Sequence, residues 1–240
     1  MVAAVVLRKD IAVERPAVLS SRADVLARYR HLRAIGKQHH STVLDFLSKD
    51  AILSQARRLD IAQGKTLILD SMGDLNLAFD LAIYTAPKDR SRAIDRYARA
   101  ARLTPESDES LMLESMRRAR FSIIASVSRH PVAGLIVRDL FRRSEVWLVD
   151  EGLESSLPEG AVLATRLYNL PEGFAMTAGI LVPLDLELIE DAIADTPQLL
   201  CKGYEEMIDD RRFAEAIYRI ALASGLMEQV AYQETIAGSA

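Results

Sequence analysis

The sequence has few of the residues that build disulfide-linked or thiolate-bound proteins. It contains one cysteine, Cys201, in 240 residues. An intramolecular disulfide is therefore excluded, as is a thiolate-rich structural zinc site. Chains without disulfides are typical of reducing compartments, and we expect a cytoplasmic protein.

Long apolar runs are also absent from the sequence. No stretch approaches the about 20 consecutive apolar residues that a membrane-spanning helix needs. The run from Val2 to Leu7 is too short for the core of a signal peptide, follows no basic segment and is followed by charged residues. We therefore expect a soluble chain without a membrane partner.

Motifs for catalysis, metals and cofactors fail on physical grounds. The segment 64–66, Gly-Lys-Thr, resembles part of a phosphate loop, but Leu59 stands where the leading glycine is needed. The adjacent His39 and His40 would project about 100° apart on a helix, which does not suit two ligands of one metal. The sequence predicts no catalytic residue, no cofactor and no metal, and an enzyme is not favoured.

The composition is globular, and its charge is unevenly distributed. Half of the residues are hydrophobic, 27% are charged and the net charge is −4. Residues 1–120 carry a net +6, residues 121–183 a net −2 and residues 184–240 a net −8. This gradient predicts either attraction between two parts of the molecule, which we favour, or a basic surface for a polyanion.

Periodicity divides the chain into the same three regions. Helix-period sequence fills 1–120, where Ser21 starts the first helix and Gly36 is expected to end or bend it, and it returns in 184–240. From Phe121 to Pro183 the period is two, with the turn sequence Leu-Pro-Glu-Gly at 157–160 and 170–173. We predict an α+β protein: a helical layer, a central antiparallel five-stranded meander or small partly open barrel, and carboxy-terminal helices.

A barrel of that kind is shared by oligonucleotide-binding folds. The central region is mildly acidic and poor in aromatic residues, however, and this favours a scaffold. We accordingly interpret Trp147 as a residue of the core.

A basic helix is the first candidate site. Arg92, Arg96 and Arg99 fall on one face, opposite an apolar face, and Lys88, Arg90 and Arg102 lie nearby. A row of guanidinium groups could bind a polyanion such as a nucleic-acid backbone. The alternative is a solvated helix face, because no aromatic residues interleave to stack on bases.

A polar stripe on an apolar helix is the second candidate site. Asn76, Asp80 and Tyr84 follow one another at four-residue spacing. The stripe either faces water or places Asp80 in a polar pocket.

A partial helix-turn-helix pattern covers residues 52–68. Ala56 fits its first helix, but Asp60 occupies the place where glycine is typical and the second helix would be short. The pattern adds little weight to nucleic-acid binding.

The strand region resembles that of a loose group of uncharacterised bacterial proteins, some of which carry the SEC-C zinc motif. The similar segments are 135–140, 147–151, 162–166 and 178–183, within a region from Phe121 to Asp185. The cysteine-rich zinc segment is missing from this chain, so neither zinc nor a link to protein export is implied. The resemblance implies a fold and no activity.

Together these observations predict a non-catalytic cytoplasmic interaction or scaffold protein that binds a protein partner or itself. The alternative is a nucleic-acid-associated regulator that uses the basic helical region.

Overall fold

The computed structural model describes residues 21–69 and 71–229. The run from Val2 to Leu7 lies outside these residues. The helices are α1 (Arg22–Asp45), α2 (Lys49–Arg58), α3 (Met72–Tyr84), α4 (Ala93–Ala100), α5 (Asp108–Arg117), α6 (Glu151–Ser156), α7 (Leu186–Ala194), α8 (Tyr204–Ile208) and α9 (Arg211–Ala223). The strands are β1 (Ala62–Gln63), β2 (Thr66–Leu67), β3 (Arg120–Arg129), β4 (Leu135–Asp139), β5 (Ser144–Leu148), β6 (Val162–Asn169) and β7 (Ala175–Leu184).

The first helix begins where the sequence predicts and ends later. The Ser21 side chain accepts a hydrogen bond from the Asp24 backbone N–H, which caps α1. Gly36 does not end the helix, which continues to Asp45. A β-carbon at Gly36 would lie 3.1 Å from the Met112 methyl group of α5, so glycine here allows the two helices to pack closely.

Strands β3 to β7 form a closed five-stranded barrel in the order β3-β4-β5-β7-β6. The predicted α+β class, with helices on either side of a central sheet, is confirmed. The strand order differs from that of a meander, because β7 lies between β5 and β6 and runs parallel to β5 at Leu148 and Ala175. The α6 connection carries the chain to the free edge of β3, where β6 pairs. The last strand then closes the remaining gap.

The inside of the barrel is apolar, with Ile124, Val137 and Leu163 among its residues. Leu153 of α6 and the adjacent Leu157 pack into the same cluster. A five-stranded Greek-key barrel with a helix between its third and fourth strands has the connectivity of oligonucleotide-binding folds. Connectivity alone does not establish a ligand.

The helices cover the outer faces of β3, β6 and β7 in two apolar clusters. Helix α3 belongs to both: Leu77 and Leu81 pack in the cluster that contains Phe213 of α9, whereas Ile83 packs with Leu32 of α1. Residues from all three regions of the chain therefore share a core around α3. Within the described ranges, no helix combines the length and the apolarity needed to cross a membrane.

Candidate functional site

Three adjoining clefts lie where α4, the beginning of β3 and the beginning of α9 meet. Their volumes are about 740, 530 and 430 Å³. Arg92 and Arg120 line both the first and the second cleft, and Arg90 and Arg211 line both the second and the third. We call the three clefts together the arginine groove.

Four cations of the arginine groove have no partner among the described residues. The side chains of Lys88, Arg90, Arg120 and Arg211 line the second cleft and form no hydrogen bond or ion pair with any residue that the structure describes. The first three are exposed and Arg211 is half-buried. Their charge is therefore available to a ligand.

The carboxylates of the second cleft are already paired with cations. Asp95 forms an ion pair with Arg92 at 2.7 Å, whereas Asp209 shares Arg142 with Asp139, at 2.5 and 2.9 Å. Asp210 pairs with Lys202 and Arg212 at 2.8 and 2.7 Å, and its hydrogen bond from Arg212, with the other bonds it accepts, keeps the pKa of its carboxyl well below the usual range. The second cleft therefore keeps a surplus of positive charge. The third cleft additionally carries Asp50.

The backbone favours an anion at the same place. Helix α4 begins after Arg92, and no side chain caps its amino terminus. Uncapped N–H groups and the positive end of the helix dipole attract negative charge. The first turn of α4 also contains Asp95, however, whose carboxylate offsets part of this attraction.

The three arginines of the predicted basic row differ in exposure and in hydrogen-bond partners. Arg92 is half-buried and donates to Asp95 and to the Arg117 carbonyl oxygen. Arg96 and Arg99 are exposed and donate to the backbone oxygen and the hydroxyl of Ser91. Arg96 lines the third cleft, whereas Arg99 is not among the residues that line the three clefts.

Two further expectations about charge and DNA binding can be compared with the structure. Among the described residues, one ion pair joins the basic first region to the acidic last region, from Arg58 to Glu215 at 3.0 Å. Three more ion pairs join arginines of the first region to the middle region, from Arg22 to Glu154, from Arg28 to Glu172 and from Arg30 to Glu151. The helix-turn-helix pattern is wrong, because residues 62–67 form the β1–β2 hairpin where a recognition helix would lie.

The polar stripe on α3 is separated into a buried and an exposed part. Asp80 and Tyr84 are each 4% exposed, whereas Asn76 is exposed. Asp80 accepts two hydrogen bonds from Arg166 of β6, at 2.9 and 2.7 Å, and one from Tyr218 of α9 at 3.0 Å. Burial opposes the charge of Arg166, but Asp80 outweighs it and raises the pKa of the guanidinium. The carboxylate is thus part of a structural ion pair between helix and barrel.

The two histidines, which failed as a metal site in the sequence, lie in different surroundings. His39 contacts the Tyr97 hydroxyl at 2.7 Å and the Glu109 carbonyl oxygen at 2.9 Å. His40 contacts the Tyr84 hydroxyl at 2.9 Å, and burial lowers the pKa of its imidazole to about 4. Burial also raises the pKa of Tyr84.

Trp147 packs as the sequence suggests, at the edge of the core. It is half-buried, donates its indole N–H to the Ala133 carbonyl oxygen at 2.7 Å, and lies 5.7 Å from the Phe174 ring. The His130 ring covers it at a centroid distance of 4.1 Å. A base therefore has no bare tryptophan face on which to stack.

Sequence reasoning missed the residues that long-range folding brings in. Arg120 is the first residue of β3, outside the predicted basic helix, and Arg211 lies in the acidic region. Arg166 had a local signal, since it alternates with the apolar Ala164 and Tyr168 on a strand face. A lone arginine in such a strand predicts a buried partner on a covering helix.

Comparison with known proteins gives a family and no activity. Neither a curated protein nor a solved structure matches the chain. The model of a family of unknown function (DUF7986) matches residues 23–229. The expectation of an uncharacterised family is confirmed, while the relation to proteins with the SEC-C motif stays a prediction. Because the match covers most of its length, the chain belongs to the DUF7986 family.

Proposed function

We propose that the protein is a non-catalytic nucleic-acid-binding protein that holds the phosphate backbone in the arginine groove. The observation that carries the proposal is that the three clefts form one continuous groove. The unpaired Arg120 lines both the first and the second cleft, and the unpaired Arg90 and Arg211 line both the second and the third. A single small phosphate would need one pocket. A row of connected positive clefts suits a polymer with regularly spaced charges.

The chemistry of the groove favours backbone recognition over base recognition. The aromatic residues that line the second cleft, Tyr84 and Phe121, are buried. Without exposed rings the groove cannot stack on bases, which is how sequence-tolerant single-strand binders gain affinity. We therefore expect little sequence preference, and a duplex to bind at least as tightly as a single strand, since its charge density is higher.

Fluorescence anisotropy with a labelled DNA duplex, titrated at low and at physiological salt, tests the proposal. The variant Arg90→Glu/Arg120→Glu/Arg211→Glu is expected to lose at least about a hundredfold in affinity, because three charge-assisted contacts become repulsive. None of these side chains has a described partner to lose. Circular dichroism of the variant checks that its fold is retained.

A matched control uses a cation outside the groove. Lys37 is exposed on α1, and Lys37→Glu makes a charge change of the same kind. Its effect should be less than about threefold, as expected for a distant surface charge screened by salt. Absence of duplex binding at low salt, or equal losses in control and groove variants, would overturn the proposal.

The interaction or scaffold function is a second candidate, for which the surface of the last region is the support. Three large apolar side chains there, Leu186, Leu200 and Tyr204, are 66%, 61% and 60% exposed. Such residues in an acidic region suit a protein partner or a second copy of the chain. Light scattering coupled to size-exclusion chromatography tests self-association, and a monomer at high concentration would exclude it.

The place of action belongs to the proposal as well. We propose the cytoplasm, supported by the lone cysteine, Cys201, which is exposed and free. Fluorescence microscopy of the tagged full chain tests this location.

A further inference from the structure

A separate cavity of about 260 Å³ lies between α1, α3 and β7. Its walls are mostly apolar, with Phe79 and Ile83 from α3 and Ile180 from β7, and Gly179 leaves one wall without a side chain. The polar groups that reach it include the His40 imidazole. An apolar cavity with few polar groups is the usual form of a small-molecule site, and this volume restricts the ligand to a small one.

The hydrogen bonds of His40 determine which of its nitrogens carries the proton. Its Nε2 lies 2.9 Å from the Tyr84 hydroxyl and 3.3 Å from the Tyr168 hydroxyl, and the two hydroxyls are 2.7 Å apart. Neither hydroxyl has another described acceptor. Both hydroxyl protons form hydrogen bonds only if one tyrosine donates to the other and the second tyrosine donates to Nε2. His40 is therefore protonated at Nδ1.

This Nδ1–H is a donor without an acceptor. The Nδ1 atom forms no hydrogen bond with a described residue. It is also absent from the fully buried polar atoms that lack a partner, which are Ser126 Oγ and Glu172 Oε2, so the atom is accessible from outside. Burial keeps the imidazole neutral by lowering its pKa to about 4. Because His40 lines the cavity, this neutral N–H is the donor that a ligand there could reach.

A positive charge lies next to Gly179, although Arg33 itself is not among the residues that line the cavity. The Arg33 guanidinium would be 3.6 Å from a β-carbon built on Gly179. It donates to the Thr177 carbonyl oxygen and pairs with no described carboxylate. Asp80 also lines the cavity, but both of its oxygens already accept bonds from Arg166 and Tyr218.

We propose that this cavity binds a small monocarboxylate with an apolar body, whose carboxylate accepts the Nδ1–H of His40 and faces the guanidinium of Arg33. The apolar walls take the body of the ligand. Asp80 is neutralised by Arg166 and does not exclude a second carboxylate. This site is independent of the arginine groove and of nucleic-acid binding.

Isothermal titration of the full chain with benzoate tests the proposal, and benzamide serves as the uncharged isostere. Benzoate should bind saturably and at least tenfold more tightly than benzamide. His40→Gln keeps an acceptor for the tyrosine hydroxyls but removes the Nδ1–H, and Arg33→Gln removes the charge. Each variant should lose at least tenfold in benzoate affinity, whereas Lys37→Gln on the same helix should lose none.

A second measurement needs no variant. Intermolecular nuclear Overhauser effects should connect the benzoate ring protons to the methyl groups of Ile83 and Ile180 in the wild-type protein. Failure of benzoate to bind saturably, or the absence of these effects, would overturn the site. Equal affinity for benzamide, or unchanged affinity in either variant, would overturn the carboxylate as the ligand class.

Discussion

Arg166 of β6 donates two hydrogen bonds to Asp80 of α3, at 2.9 and 2.7 Å, in a place where both side chains are almost fully buried. The guanidinium also lies 4.7 Å from the centre of the Tyr84 ring. Tyr218 of α9 supplies a third donor to the carboxylate. The ion pair thus connects the barrel to α3, and the hydrogen bond from Tyr218 connects it to the last region.

Removal of the carboxylate should destabilise the protein strongly. Asp80→Ala leaves the Arg166 charge buried without its partner, and we expect the free energy of unfolding to fall by about 3 to 5 kcal/mol. Urea denaturation followed by circular dichroism measures this change. Tyr218→Phe, which removes one donor to the charged carboxylate, should cost about 1.5 to 3 kcal/mol.

Replacement of both charged residues tests whether the instability of Asp80→Ala comes from the unpaired charge of Arg166. The double variant Asp80→Leu/Arg166→Leu should recover most of the lost stability, because an apolar pair has no desolvation cost. If the double variant is no more stable than Asp80→Ala, the hydrogen bonds and packing of the ion pair stabilise the fold beyond the cancellation of its two charges.

The stability of the protein should depend on the protonation of His40. The imidazole has a pKa near 6.5 when unfolded and about 4 when folded, because burial disfavours its charged form. Its contribution is therefore fully present above pH 6.5, is lost as the pH falls from 6.5 to about 4, and changes no further below that. The loss is on the order of 3 kcal/mol.

Urea denaturation of wild-type protein and His40→Gln across this pH range measures the effect. Glutamine retains an acceptor for the tyrosine hydroxyls and does not titrate, so the variant should show a smaller loss towards low pH. Some dependence should remain, since burial also lowers the pKa of His39. Parallel curves for the two proteins would contradict the assignment.

The sequence predicts those features that short segments determine. Ser21 caps its helix through Asp24, three residues away, and the change of period at 121 matches the entry into β3 at Arg120. Local hydrogen bonds and side-chain alternation specify such features without reference to the rest of the chain.

Features that join distant segments could not be predicted in this way. Arg211 reaches the arginine groove from a region that is acidic overall, and Asp80 finds Arg166 across 86 residues of sequence. The insertion of β7 between β5 and β6 likewise depends on closure of the barrel. Each depends on the complete packing of the barrel against α3, which no local pattern records.

Salt dependence should report the number of phosphates that the arginine groove holds. Each phosphate contact contributes about 0.9 to the slope of log affinity against log salt concentration. Arg90→Gln, Arg120→Gln and Arg211→Gln should each reduce this slope by up to about 0.9, and their combination should reduce it further. Anisotropy titrations over a range of potassium chloride concentrations measure the slope, and Lys37→Gln should leave it unchanged. Groove variants with the wild-type slope would place the phosphates elsewhere.

Two glycines of the barrel region have nearly the same positive φ angle and differ in the space around them. Gly134 and Gly160 have φ angles of +79° and +80°, so alanine at either position costs about 1 kcal/mol of backbone strain. A β-carbon at Gly134 would lie 2.2 Å from the Leu148 carbonyl oxygen, whereas one at Gly160 would meet nothing within 4 Å. Gly134→Ala must therefore displace β5 at the point where Leu135 pairs with Leu148.

We expect Gly134→Ala to lower the free energy of unfolding by at least about 2 kcal/mol more than Gly160→Ala does. Urea denaturation of both variants beside the wild type measures the difference, and the identical substitution at the same φ removes backbone strain from the comparison. Because the displaced strand also carries Trp147, the tryptophan fluorescence of folded Gly134→Ala should change while that of Gly160→Ala does not. Equal stabilities for the two variants would mean that the Gly134 turn and β5 do not approach each other as closely as the barrel requires.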